Sequence, residues 1–332
     1  MAGNRKDPQR AKSSDSRYSL MEFMRDFPND EACLVWLWET RYAVAEGSDE
    51  GHCTKCQEVR TFKRYETRQQ RQSWTCTACG LHVHPTAGTI FHKSSTSLHL
   101  WFYAMYLMTS TRCGISAKQL ERELGVTYKT AWRMFHLIRN ELMADQGDPL
   151  SGTVEMDEMY VGGRPRQSDR AKWGAVADTS ARKQASARWR DAKKVPVFGM
   201  VERGGKVAAY VVPSTQAPAL GKHIEARVLP ATVIHTDEAP VYVGLARKGG
   251  FEHKRIKHKA NVYVEGDTHT QTIEGFWSLV KRGIGGTHHS VSAKHLQGYL
   301  NEYVWRYNNR DMDGPAQFGL LIKQSAIARS QG

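Results

Sequence analysis

The segment VEMDEMYVG, residues 154–162, decides how the C-terminal half of the chain is read. Val154, Met156 and Tyr160 give it the content of a buried strand, yet Asp157 stands in its middle. An acid in such a strand is costly unless it is paired or metal-bound. Downstream, ATVIHTDEA (231–239) predicts a second short strand that ends on Asp237, after Val233 and Ile234. THTQTIEGFWSLVKRGI (268–284) reads as a helix with Ile273, Phe276, Trp277 and Leu279 on one face and Glu274 on the other. Adjacent strands would set the two aspartates side by side, with the glutamate helix packed across them. Three carboxylates so placed can hold two hard divalent cations about 3.5–4 Å apart. Oxygen ligands with open octahedral positions suit Mg²⁺ or Mn²⁺. Glu155, Glu158 and Glu238 adjoin the two aspartates, so spacing leaves open which acid of each pair binds. Solvated strand-end acids are the competing reading.

The rest of this half fits a mixed sheet. VPVFGMVER-GG-KVAAYVVP (195–213) predicts a hairpin turning at Gly204-Gly205. Helices are expected over 219–228 and 292–310, the second with Tyr299, Tyr303, Trp305 and Tyr307 at core-packing spacing. FEHKRIKHK (251–259) reads as a short exposed basic strand, and 163–194 as a basic insertion. His235 and His269 lie near Asp237 and Glu274, where each either orients a phosphate or water or is a satisfied surface histidine. Lys281 and Arg282 follow Glu274 at helical distance and suit phosphate contacts.

In the N-terminal half, Cys53, Cys56, Cys76 and Cys79 form C-x2-C-x19-C-x2-C. Each pair places two thiolates on one turn, and two such turns close a tetrahedral site for one structural Zn²⁺. The segment between can make the strands of a zinc ribbon. Cys33 and Cys113 read as core residues, and His82 and His84 as surface or phosphate-facing groups. Ahead of the ribbon, residues 18–46 have helical spacing broken at Pro28-Asn29-Asp30. Beyond it, 96–111 is a strongly apolar helix. From Ile115, Ser116 caps a helix bearing Leu120 and Leu124, Gly125 turns the chain, and Thr127 caps a second helix with Ala131, Phe135 and Ile138 inward. That is a helix-turn-helix layout, and its outer face offers Tyr128, Lys129, Arg133 and His136 to a DNA groove.

Composition agrees. The 332 residues are 40% hydrophobic, which excludes a wholly disordered chain. Forty-seven Lys and Arg against 34 Asp and Glu leave a net charge of +13, which favours a polyanionic partner, nucleic acid first. No apolar run of roughly 18 residues predicts a membrane span. Residues 1–17 are a polar, basic tail without a secretory core, so the expected location is the cytoplasm, with the nucleoid.

The segments VEMDEMYVGG, VIHTDEAPVY and HTQTIEGFWSLVKRGIGGTHHSVSAKHLQGYLNEYVWRYNNR, together with the cysteine pattern, resemble bacterial insertion-sequence DDE transposases with an N-terminal zinc ribbon, the ISXO-type family. The resemblance runs from about residue 20 to 312. It implies a multidomain α+β chain whose C-terminal α/β domain is RNase H-like, of the retroviral-integrase type. It implies Asp157, Asp237 and Glu274 as the catalytic triad, with two Mg²⁺ (or Mn²⁺). It further implies double-stranded DNA partners (element ends and target), end cleavage followed by strand transfer, and a homo-oligomer on paired ends. Gln271 stands where the family pattern has Asn. The expected divisions are the tail 1–17, helices and ribbon 18–95, helix-turn-helix 96–148, catalytic domain 149–313 and C-terminal tail 314–332. A structure-selective nuclease of the same fold, and a non-catalytic DNA-binding regulator, are the alternatives.

Overall fold

The computed structural model describes residues 18–66, 72–111, 113–162, 194–236, 242, 244, 250–255 and 270–327. The expected tail 1–17 and nearly all of the expected basic insertion (163–193) lie outside them. Two compact units are present: Met1–Leu142 with Asp311–Gly332, and Met143–Arg310.

In the first unit, helix α1 (Leu20–Asp26) starts with a capping box between Ser19 and Glu22. Helix α2 (Asp30–Arg41) starts at Asn29, whose side chain accepts from the Ala32 N–H. A four-stranded antiparallel sheet follows in sequence order: β1 (Glu50–Cys53), β2 (Glu58–Glu66), β3 (Gln72–Cys76) and β4 (His82–Val83). This sheet is too small to bury a core by itself. Trp38 of α2 supplies one by stacking on Trp74 at 5.0 Å and packing on Phe62, beside Cys53 and Cys76. Helix α3 (Leu98–Ser110) is largely buried, as its apolar content demands. Helices α4 (Ala117–Leu124) and α5 (Tyr128–Leu137) are capped by Ser116 and Thr127 and separated by Gly125, whose φ of +62° is the left-handed conformation glycine tolerates. Ala131, Phe135 and Ile138 face inward. Cys33 is buried, but Cys113 is exposed: α3 stops at Ser110, and Cys113 falls in the turn beyond it rather than on a packed helix.

The second unit is a five-stranded mixed sheet with the order β7-β6-β5-β8-β9. The central strand is β5 (Thr153–Val161). On one side the hairpin β6 (Val195–Glu202) and β7 (Val207–Val211) continues it antiparallel. On the other, β8 (Val233–Thr236) and β9 (Glu252–Arg255) run parallel. Helix α6 (Ala217–Arg227) covers one face through Leu220 and Ile224, which pack on Val154, Met156, Phe198 and Met200. Helices α7 (Gln271–Gly283) and α8 (Leu296–Asn308) cover the other through Ile273, Phe276, Trp277, Leu300 and Val304, packed on Met159, Val197 and Val201. Residues alternate faces along a strand, so Glu155 and Asp157 lie on the α7 face. Glu158 lies on the α6 face and accepts from the Tyr242 hydroxyl.

The chain ends back in the first unit. Residues expected as a tail from 314 form helix α9 (Gly314–Ala326), with Phe318, Leu321 and Ile322 buried. Asp313-Gly314-Pro315 starts it: Asp313 caps the helix on the Ala316 N–H, and Pro315 sits in its first turn, where it is favoured. Phe318 completes an aromatic cluster with Tyr18, Phe23 and Tyr106.

One contact fixes how closely α7 approaches the sheet. Gly199 pairs with Asp157 across β5 and β6, and a Cβ there would lie 2.6 Å from Trp277 Cη2. Gly199→Ala is therefore expected to destabilise the second unit by about 1–3 kcal/mol, as overpacking does, although Ala suits a strand better than Gly. Denaturant unfolding checks this, and adding Trp277→Leu should recover part of the loss.

Candidate active site

Strand β5 carries Asp157 to the middle of the α7 face, where it stays partly exposed. Its Oδ2 accepts from Trp277 Nε1 at 3.1 Å. Trp277 is three residues after Glu274 on α7, and positions three apart share a helix face. Glu274 is exposed in the first turn of α7, and its Oε1 accepts from Thr270 Oγ1 at 3.2 Å. Asp157 and Glu274 thus stand on two elements that the Trp277 contact joins.

The third, Asp237, lies outside the described residues, as does His269. The strand leading to Asp237 is described. β8 runs parallel to β5, with Glu155 opposite His235. Asp157 and Asp237 each follow that pair by two residues.

The acids that competed with Asp157 have other partners. Glu155 is fully buried and accepts from Arg203 Nε (2.7 Å), Thr272 N (2.8 Å), Thr272 Oγ1 (3.0 Å) and Ile273 N (3.0 Å). Glu158 faces the opposite side of the sheet, as described above. His235 is neither a surface histidine nor aimed at solvent: it is 2% exposed, and its Nδ1 lies 3.0 Å from Arg203 Nη2. Sequence spacing placed it on the side of Asp237 but carried no sign of Arg203, which comes from the β6–β7 turn. Apolar periodicity places Trp277 in the core and carries no sign of the polar partner of its indole N–H.

Lys281 and Arg282 are exposed in the last turn of α7. Lys281 borders a cavity of about 230 Å³ lined also by Met159, Tyr160, Ile284 and His289. On α5, Tyr128 and Lys129 are exposed, and the rings of Tyr128, Trp132 and His136 stack in series at 6.4 and 6.0 Å. Arg133 is exposed as well; it donates to Ser94 Oγ at 3.0 Å and lies over the Trp101 ring.

The four ribbon thiols meet. Their sulfurs all lie within 4.8 Å of one another, with Cys53–Cys79 at 3.6 Å and Cys56–Cys76 at 4.0 Å. A tetrahedron with Zn–S bonds of about 2.3 Å has edges of about 3.8 Å, so the donor set fits zinc. Burial would push the Cys53 thiol up, but backbone N–H groups of Cys56 and Lys55 and the neighbouring thiols outweigh it and hold it at about 7. Hydrogen bonding with Cys79, then burial, pushes Cys56 up to about 12. Thiols this close cannot all ionise unless a cation sits among them.

A family model described as the ISXO2-like transposase domain matches residues 149–308. Over 107 residues the chain is 30% identical to an uncharacterised transposase-like protein of Haemophilus influenzae, covering 32% of this chain and 85% of that protein. The chain belongs to the ISXO2-like DDE transposases. An uncharacterised protein in transposable element ISH50 of Halobacterium salinarum is 29% identical to this transposase over 259 residues, 77% of this chain and 84% of that one. Among solved structures, a chain of a pre-cleavage Mos1 transpososome matches with 10% identity, over 69% of this chain and 80% of that one, at a TM-score of only 0.25. The matched family region covers the whole mixed sheet and helices α6 to α8, and so contains both Asp157 and Glu274.

Proposed function

We propose that this transposase binds the inverted-repeat ends of its own insertion sequence and cuts them. It then joins the freed 3′ end to target DNA at one centre, built from Asp157, Asp237 and Glu274 on an RNase H-like sheet. The observation that carries this reading is the Trp277–Asp157 hydrogen bond at 3.1 Å, which ties the Glu274 helix to the Asp157 strand. The β5–β8 register supports Asp237 as the third carboxylate. A donor set of carboxylate oxygens, with Asp157 and Glu274 open to solvent, fits Mg²⁺ or Mn²⁺. Two such ions would supply an activated attacking oxygen and charge neutralisation at the leaving one. The protein's own part is positioning. Trp277 holds one oxygen of Asp157 and so fixes where that carboxylate stands on β5. The buried α7–β5 packing keeps the acids from drifting, and Lys281 and Arg282 meet the phosphates beyond them.

The first unit is the DNA-finding part in this reading. One structural Zn²⁺ closes the ribbon through Cys53, Cys56, Cys76 and Cys79. Helix α5 presents Tyr128, Lys129 and His136 to the duplex, with Arg133 braced on Ser94 at its edge. Pairing two element ends calls for a homo-oligomer on DNA, and the place of action is the nucleoid.

Two experiments test these assignments. With labelled duplex carrying the element end, Asp157→Asn, Asp237→Asn and Glu274→Gln should each lower Mg²⁺-dependent cleavage by about a thousandfold, the kinetic equivalent of several kcal/mol. Each should retain binding in a gel-shift assay; full cleavage by any variant removes that residue from the centre. Separately, the purified chain should carry one zinc per molecule by elemental analysis. Cys76→Ser or strong chelation should remove the zinc and melt the ribbon, since structural zinc supplies folding energy outright.

A further inference from the structure

Among the described residues around α7 and β5, Glu155 is the one wholly buried carboxylate, and its partners come from α7 and the β6–β7 turn. An ionised carboxylate is retained in such a place only with its lone pairs satisfied. Oε2 accepts from the N–H groups of Thr272 and Ile273, and Oε1 from Thr272 Oγ1 and Arg203 Nε. The two N–H groups are the second and third of helix α7, donors that no intrahelical carbonyl can take. The residue that would ordinarily serve them, Thr270 at the N-cap, makes no side-chain cap bond and instead donates to Glu274. The cap of α7 is therefore supplied from strand β5, two residues before Asp157. The residue after Ile273 is Glu274. On its far side, Arg203 reaches His235 of β8 at 3.0 Å, two residues before Asp237.

We infer that Glu155 is a positioning residue for the metal-binding acids. It caps the Glu274 helix from the Asp157 strand, and through Arg203 and His235 it braces the strand that leads to Asp237. A shift of the α7 terminus by a fraction of an ångström moves Glu274 directly, because only one peptide unit separates it from the capped N–H groups. Glu155 itself touches neither metal nor DNA. This inference rests on the three-carboxylate centre proposed above.

The test uses the full chain and Mn²⁺ alone, with bound ion followed by electron paramagnetic resonance and plasmid nicking in Mn²⁺ followed alongside. The fraction of Mn²⁺ binding that Asp157→Asn abolishes defines the centre. Glu155→Gln, which keeps size and one acceptor, should weaken that fraction about 10–100-fold, the usual effect of losing a group that orients metal ligands, with nicking falling in step. Glu302→Gln serves as control: it disturbs another fully buried glutamate, paired with Arg306 within α8, and should lower stability while leaving Mn²⁺ affinity within about twofold. If Glu155→Gln does not fold, Thr272→Val decides. It removes one donor of the cradle and should weaken Mn²⁺ severalfold. Wild-type Mn²⁺ affinity in a folded Glu155→Gln or Thr272→Val chain overturns the inference. A wild-type chain whose Mn²⁺ binding ignores Asp157→Asn overturns the three-carboxylate centre instead.

Discussion

Helix α7, which carries Glu274, lies close against strand β5, which carries Asp157. Here the closeness comes from a missing side chain. Gly199 leaves the space opposite Asp157 into which Trp277 settles, and the indole N–H then finds the Asp157 carboxylate. Ile273 and Phe276 bury beside it, so apolar burial drives the docking and the single polar contact fixes its register. The exposure of Glu274 follows from the same geometry, since the buried side of α7 is taken up by its apolar neighbours.

Much of this was legible in the chain itself. The acid inside VEMDEMYVG announced itself because apolar strands rarely tolerate one, and the apolar face of α7 left Glu274 on the outside by simple periodicity. The doubled C-x2-C pattern likewise named its four thiols, which do converge. What was illegible is non-local. Nothing near Arg203 in sequence marks it as the partner of both Glu155 and His235, because those contacts are made by turning a hairpin back along the sheet. Glu155 looked interchangeable with Asp157 until the strand faces and the start of α7 were in place. The last helix is illegible in sequence because what holds it is distant along the chain: Phe318 packs among Tyr18, Phe23 and Tyr106. Asp237 and His269 are beyond the described residues, so the β5–β8 register is what speaks for Asp237.

The two units meet the same physical problem differently. The four-stranded sheet of the first unit is small, and it gains rigidity from a Trp38–Trp74 stack and a cluster of four thiols suited to a cation. The mixed sheet of the second is covered on both faces and needs no staple. Glu155 instead ties strand β5 to the start of α7 and to the β6–β7 turn. Apolar residues of equal volume would stabilise such a place at least as well. The polar choice secures orientation, and orientation is what a reaction carried by metal ions asks of its scaffold.

The central claim is that Asp157 and Glu274 grip the same metal centre. Crystals of the full chain soaked in Mn²⁺ and recorded at the manganese absorption edge measure this directly. The account predicts anomalous peaks about 2 Å from carboxylate oxygens of both residues, as hard-cation coordination requires. Peaks elsewhere, with these two side chains free of metal, would contradict it.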